Sequence, residues 1–467
     1  MIPFFPKQIS QRAIIVYVAA LISISVVYIK FAMSFLYIVL GLTFVLGFFL
    51  SLPYLSKSWL KRPETRFVCS IFLLAVSLRL IWVVASYFYY IKATGLPFEF
   101  EAADSMGYHD EASWLSVSPW SVVHEWYFGE GAHGISDVGY PLYLTILYKV
   151  FGINIIIPRI IKAFISAYTC VLVYRLSARS FGEETGRIAG IICALMPNLI
   201  IYCGYHLKET EMLFLATLAL ERFDRLIRSS DHRTLNIILC VLFTLLSFGF
   251  RTAVGMILIG SYIVMVLFSE KEQFAPKKKV ITLATVALSI VALMMTPIGK
   301  EILFMFKVNF TESDYMVVKY NHYGMKYADY ASYKTMAPGV FVLPLTNMVE
   351  VANGNQKMMN GTYFVKNYLA FFAMWCFVAA IREKKARSFR LIGSYTLVYL
   401  LMIAFSFAVN SERYHLPALP GIIIMAAFAM THFRKKDFPF YYVYCALLLV
   451  AIVAWNYLKL AGRGLIF

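Results

Sequence analysis

Apolar runs long enough to cross a bilayer recur along almost the whole chain, and no other feature constrains its fold as strongly. A helix needs roughly 20 such residues to traverse the hydrocarbon. Candidate spans lie at 12–29, 32–54, 67–91, 159–178, 188–206, 209–227, 235–250, 252–268, 280–297, 364–381, 391–409, 416–433 and 439–458. Strand-like alternation is nearly absent, so the spans are expected to be helices and not barrel strands. Composition agrees. The 467 residues are 60% hydrophobic and 15% charged, against about 45–50% and 25% in soluble domains. A soluble enzyme, a disordered chain and a disulfide scaffold are excluded. The expected fold is an all-α polytopic membrane protein with about 13 transmembrane helices.

The net charge is +17. In a soluble protein that excess would point to nucleic acid, but here its placement assigns it to membrane orientation, and no nucleic-acid partner is expected. Short alternate connections hold Lys57, Lys61, Arg62 and Arg66, then Arg175, Arg179 and Arg187, then Arg225, Arg228 and Arg233. The series continues with Lys271, Lys277, Lys278 and Lys279, then Arg382, Lys384, Lys385 and Arg387, then Arg434, Lys435 and Lys436. Such clusters mark cytoplasmic loops. Lys7 and Arg12 put the N-terminus on the same side, and residues 462–467 fall outside. The first apolar run has no small-residue cleavage site and reads as a retained span. The seven cysteines lie in or beside apolar segments with no CxxC pair, as small buried hydrophobes do.

The opposite side carries two long connections, 92–158 and 298–363. Loops of this length are usually functional. The first holds Trp114, Trp120 and Trp126, and its 140–152 stretch reads as a helix lying in the outer interface. The second holds Tyr315, Tyr320, Tyr323, Tyr327, Tyr330 and Tyr333. The spacing from Tyr320 to Tyr330 predicts an interfacial anchoring helix, with sugar stacking the lesser alternative. Inside connections are too short to fold a catalytic domain, so any chemistry falls within the bundle or on its outer face.

Five carboxylates, Glu99, Glu101, Asp104, Asp110 and Glu111, lie within thirteen residues of the first outer loop. One of them could serve as a general base; a merely solvated acidic loop accounts for the others. Ionisable residues at the outer ends of spans are costly unless they serve something. They are Arg159 and Lys162; His206, Lys208, Glu209 and Glu211; Arg251; and Glu412, Arg413 and His415. Singly each reads as a snorkelling anchor. Together the cations could hold a phosphate by charge-assisted hydrogen bonds. There is no HExxH and no Cys/His zinc spacing, so no metal site or cofactor is specified, though carboxylates could take a divalent cation through oxygen. Asn309-Phe-Thr311 and Asn360-Gly-Thr362 match the glycosylation acceptor pattern, relevant only in a eukaryotic lumen.

Several of these segments resemble motifs of membrane glycosyltransferases with the GT-C fold. Asp104 followed by Tyr108 and Ala112 resembles their Asp-containing first loop, and Gly139-Tyr140-Pro141-Leu142 their entry to an interfacial helix. Arg159 with Ala178-Arg179-Ser-Phe181-Gly182, then Ala194-Leu-Met-Pro197 and Glu209, resemble the following helices. Arg251 is similar to their basic hairpin tip, and Arg413-Tyr414-His415-Leu-Pro417 to a late Arg-Tyr-x-x-Pro motif. The style is that of bacterial aminoarabinose transferases and protein O-mannosyltransferases. The adjacent acidic pair common in the mannosyltransferases is here Asp104-Ser105, with Asp110-Glu111 six residues later.

The resemblance divides the chain into two added helices at 1–66, a catalytic core at 67–297, a second outer loop at 298–363 and C-terminal helices at 364–467. It implies a polyprenyl-phosphate-linked sugar as donor, an acceptor glycan, lipid or protein, and transfer with inversion on the periplasmic side of a bacterial inner membrane. On that basis Asp104 is the expected base and Glu209 a second acid. Arg159, Lys208, Arg251 and Arg413 are expected at the donor phosphate, and Tyr108, His109, Asp110, Glu111, Tyr414 and His415 near substrate. The rivals are a polysaccharide polymerase or ligase using lipid-linked oligosaccharide, and a secondary transporter, for which paired broken helices and inverted repeats would speak.

Overall fold

A computed structural model describes residues 5–129, 137–228, 232–269, 276–296, 298–300, 302–303, 337–404 and 411–466. Each predicted span is mainly helical over its described residues, with 188–206 interrupted at Met196. The first three are α1 (Lys7–Val27), α2 (Phe35–Trp59) and α3 (Glu64–Thr94). The first outer connection folds as α4 (Ala103–Val117), α5 (Trp120–Phe128) and α6 (Gly139–Phe151). Then come α7 (Ile156–Phe181), α8 (Glu183–Leu195), α9 (Pro197–Ile201), α10 (Glu209–Arg228), α11 (Arg233–Phe250), α12 (Thr252–Leu267) and α13 (Pro276–Met294). The remainder is α14 (Gly354–Met358), α15 (Asn360–Arg382), α16 (Arg390–Ala404), α17 (Glu412–His415), α18 (Leu419–Thr431) and α19 (Phe438–Ala461).

Among the described residues, eight helices are long and apolar enough to cross a membrane, and a ninth if the bent segment Glu183–Leu195 with Pro197–Gly204 is one span. The chain is thus an integral multi-pass membrane protein. Of the other expected spans, α12 and the apolar Lys279–Met294 part of α13 are shorter, α16 is described only as far as Ala404, and α10 carries Glu209 and Glu211 in its first turn and Arg225 and Arg228 in its last. The tyrosine series from Tyr315 to Tyr333, and Asn309, lie outside the described residues.

One apolar core runs from Phe5 to Leu460, and the N-terminal pair is part of it. α1 packs on α19 and α2 on α15. Gly41 and Gly361 permit the second contact, since a Cβ on Gly361 would come within 2.5 Å of the Gly41 carbonyl oxygen. Asn360 is fully buried in the same joint and donates to the carbonyls of Tyr37 at 2.9 Å and Lys357 at 2.7 Å. Its acceptor-like pattern is therefore a packing feature, inaccessible to a glycosylating enzyme.

The basic connections gather at one end of the bundle. Arg187 donates to the carbonyls of Trp59, Leu60 and Arg62. Arg179 pairs with Glu221 and Asp224, Arg382 with Asp437, and Phe181 packs on Phe389 and Phe428. The long connections meet at the other end. Asn353 of the second donates to Glu101 of the first at 2.8 Å, and Gly354 lies against the Phe100 ring.

The bend between α8 and α9 is 48°. Pro197 cannot donate a backbone hydrogen bond, so carbonyls one turn earlier lose their partners. Arg79, fully buried on α3, replaces them: it donates to the carbonyls of Ala194 at 3.1 Å and Cys193 at 3.3 Å, and to Ser166 at 2.7 Å. The broken span then delivers residues 205–208 to the end of the bundle where the long connections lie. The Cys193 carbonyl keeps the Met196 N–H at 3.4 Å, but removing the Arg79 donors leaves the buried Ala194 carbonyl unpaired at about 1–3 kcal/mol. Arg79→Met is expected to lower the thermal unfolding midpoint of the purified protein clearly, while Arg66→Met, on an exposed residue, leaves it unchanged; equal midpoints would refute this role for Arg79.

Candidate functional site

Three segments far apart in sequence converge on one guanidinium. Asp104 sits in the first turn of α4, Glu209 at the start of α10, and Arg413 in the four-residue α17. Arg413 donates through Nη1 to Asp104 and through Nε to Glu209. The two carboxylates differ in setting: Asp104 is 55% exposed and Glu209 0%. The second oxygen of Glu209, Oε2, is buried and unpartnered. Such a group is satisfied in solution by water or ligand.

Two further cations border this group. Arg251, at the tip between α11 and α12, lies over the Tyr414 ring at 4.6 Å. Lys208 is nearly buried and pairs with Asp137, just before α6. A Cβ on Gly139 would meet the Phe250 ring and the Gly249 backbone at 2.7–2.8 Å, so only glycine lets α6 approach the Arg251 hairpin this closely. Burial is the largest influence on Lys208, followed by Arg251; against the pull of Glu209, and with Arg413 adding to the effect over Asp104, its ammonium is pushed down to about 7.

The five loop carboxylates separate by their partners. Glu99 is buried and accepts from Ser105, Glu101 accepts from Asn353, and Glu111 accepts from the Trp126 indole at 2.9 Å. These three hold α4 in place. Asp110 is exposed on the helix surface, and Asp104 alone among the five pairs with Arg413. Tyr108 packs edge-on against Tyr140 at 5.3 Å, and burial pushes its hydroxyl up to about 12.

Other expected site residues lie deeper. Arg159 is not brought to the cluster: it is fully buried, donates to the Pro97 carbonyl at 2.7 Å, and leaves Nε and Nη1 unpartnered. Its place is below the start of the first connection, because α7 enters the bundle there. His109 contacts Tyr148 at 2.8 Å, and Tyr148 contacts His206 at 3.2 Å. Burial, then the charges of Arg159 and Lys162, holds His206 neutral well below the usual imidazole range. Lys162 is spent on the Tyr205 carbonyl at 2.9 Å and on Glu211 at 3.6 Å. His415 is buried beside Tyr414. Among the described residues, no three His, Cys, Asp or Glu side chains group as metal ligands would.

Sequence reasoning did not single out Asp137, Asn198 or Lys366. Nothing in its local sequence marks Asp137. Lys366 did carry a signal, a cation within an apolar span; it pairs with Glu412 at 3.1 Å.

Residues 138–295 match the family described as dolichyl-phosphate-mannose-protein mannosyltransferase. No curated protein matches the chain. Among solved structures, the chain is similar to ArnT from Cupriavidus metallidurans bound to undecaprenyl phosphate, at TM-score 0.50 and 14% identity over 83% of this chain. It is also similar to the apo oligosaccharyltransferase of Archaeoglobus fulgidus, at TM-score 0.50 and 15% identity over 86% of this chain. The match spans 64% of the first protein and 55% of the second. At such identities the likeness is one of fold, and the GT-C resemblance read from the sequence is met by it.

The Lys208 environment has a measurable consequence. With its folded value lowered toward about 7, the folded state holds fewer protons than the unfolded state between roughly pH 7 and 10.4, so the burden of this lysine is full below pH 7 and relieved as pH rises. Lys208→Met is expected to raise the unfolding midpoint more at pH 6 than at pH 9. A difference independent of pH would contradict the assignment.

Proposed function

We propose that the chain is a membrane glycosyltransferase that moves a sugar from a polyprenyl-phosphate donor to an acceptor hydroxyl or amine, with inversion. The observation that carries this reading is the Asp104–Arg413–Glu209 group with Lys208 and Arg251 at its border. A lipid-phosphate sugar needs a proton acceptor on one side of the anomeric carbon and cations on the other. Asp104 is accessible enough to reach an acceptor, whereas Lys208, Arg251 and Arg413 are positioned for a departing phosphate.

In the proposed step the acceptor oxygen bonds to the anomeric carbon as Asp104 takes its proton. The bond from that carbon to the phosphate oxygen breaks, and its electron pair leaves with the lipid phosphate. Preorganised cations in a partly dry site favour that charge more than water does. The free oxygen of Glu209 accepts a sugar hydroxyl. Tyr108 and Tyr414 flank the reacting group, and Asp110 is the reserve base. The gathering of basic connections at the far end of the bundle supports an extracytoplasmic site, in a bacterial cell the periplasmic face of the inner membrane. The ArnT likeness supports undecaprenyl phosphate as the carrier class. The oligosaccharyltransferase likeness favours a second reading in which the transferred unit is an oligosaccharide; the mass added to the acceptor separates the two.

Asp104→Asn is expected to lower sugar transfer by about 10²–10⁴, the usual worth of a general base, while undecaprenyl phosphate still binds. Retained turnover would shift the base to Asp110. Arg251→Ala and Arg413→Ala should each weaken undecaprenyl phosphate about tenfold or more, the loss of a charge-assisted contact. Unchanged affinity in both would dismantle the phosphate assignment.

A further inference from the structure

Asp137 stands just ahead of α6, whose N-cap is Val138, and its carboxylate pairs with the Lys208 ammonium. The pair is lopsided: the lysine side chain is 3% exposed and the aspartate 67%. The carboxylate therefore lies on the solvent side of a buried cation, and an anion arriving at Lys208 from outside meets Asp137 first. Contacts on every side place the pair inside the candidate site. Lys208 immediately precedes Glu209, which accepts from Arg413. Gly139, two residues beyond Asp137, abuts the Gly249 backbone and the Phe250 ring. The next residue is Arg251, whose guanidinium lies over the ring of Tyr414, the neighbour of Arg413.

Lys208, Arg251 and Arg413 are thus matched by three carboxylates, Asp104, Glu209 and Asp137. The site is balanced before any phosphate arrives. An added phosphate either leaves surplus negative charge in a poorly hydrated place, which is costly, or takes the place of one carboxylate. Displacing Asp104 frees little, because Arg413 keeps Glu209, and Glu209 is fully buried, away from water that would receive its charge. Asp137 reaches solvent by rotating its own side chain, and a lipid-phosphate sugar brings one negative charge in exchange. We infer that Asp137 is the resident counter-ion of Lys208, standing where the donor phosphate binds and displaced by it. Lys208 is then compensated in both states, as a buried cation must be. This deepens the proposed function and rests on the phosphate role given there to Lys208.

The test is the affinity of the full chain in lipid nanodiscs for undecaprenyl phosphate at pH 6, below the point at which Lys208 gives up its proton. Asp137→Asn is expected to tighten binding about fivefold, the upper worth of a solvent-screened ion pair. A salt bridge kept only for structure gives the other sign: losing its carboxylate leaves affinity unchanged or weaker, and either result would overturn the inference. The gain must also pass through Lys208. In a Lys208→Met background, Asp137→Asn is expected to change affinity by less than about twofold; a persisting fivefold gain would mean that the carboxylate acts by long-range charge alone, and would refute the displacement. Should Lys208→Met fail to fold, a cryo-EM map of the wild type with the probe decides, with phosphate expected on Lys208 and Asp137 turned away; Asp137 still on Lys208 would refute it. If Lys208→Met binds like the wild type, the phosphate role of Lys208 fails and this inference with it. If Lys208→Met weakens binding while Asp137→Asn does not tighten it, the counter-ion role alone is lost.

Discussion

Arg413 is held by two carboxylates from separate elements of the first half of the chain, and the rest of the site depends on that shared ion pair. Asp104 belongs to a helix outside the bundle, Glu209 to the start of a buried one, and Arg413 to a single turn between two spans. The contact to buried Glu209 is of the charge-assisted kind worth about 1.5–3 kcal/mol, while solvent screening holds the contact to half-exposed Asp104 to about 1 kcal/mol or less. The same charges leave unfinished business, since Glu209 keeps a buried oxygen without a donor and Lys208 sits where burial opposes its charge. Both features favour an incoming ligand that brings hydroxyls and an anion together.

A low-dielectric environment explains why so many ionisable groups at this end are either paired or spent on backbone carbonyls. Arg79 caps the carbonyls freed at Pro197, Lys162 those of the 205–207 turn, and Lys366 that of Leu343. Each satisfies backbone carbonyls at or beyond helix ends that would be costly to bury unpaired. These basic residues shape the scaffold, and they leave Lys208, Arg251 and Arg413 as the cations gathered around Asp104 and Glu209.

Apolar periodicity made the helical architecture legible, because spans must be long and apolar whatever they do. The Gly139-Tyr140-Pro141 entry to α6 was legible only as a family resemblance; its physical reason, that a Cβ at 139 would meet the Gly249 backbone and the Phe250 ring, lies in the packing. The convergence of Asp104, Glu209 and Arg413 could be suspected from sidedness alone, but not their contact. Sequence could not tell Arg159 from Arg413, since both stand at the end of a span; only packing shows one buried beneath the loop and the other beside Asp104. It could not rank the loop carboxylates either, as the partners of Glu99, Glu101 and Glu111 come from Ser105, Asn353 and Trp126. The bend at Pro197 was hidden inside an unbroken apolar run.

The most direct measurement is a cryo-EM map of the protein in lipid nanodiscs saturated with undecaprenyl phosphate. The phosphate is predicted within hydrogen-bond distance of at least two of Lys208, Arg251 and Arg413, with Asp104 open on the side away from it. A phosphate bound instead among the basic connections around Arg179, Arg187 and Arg382 would contradict the account.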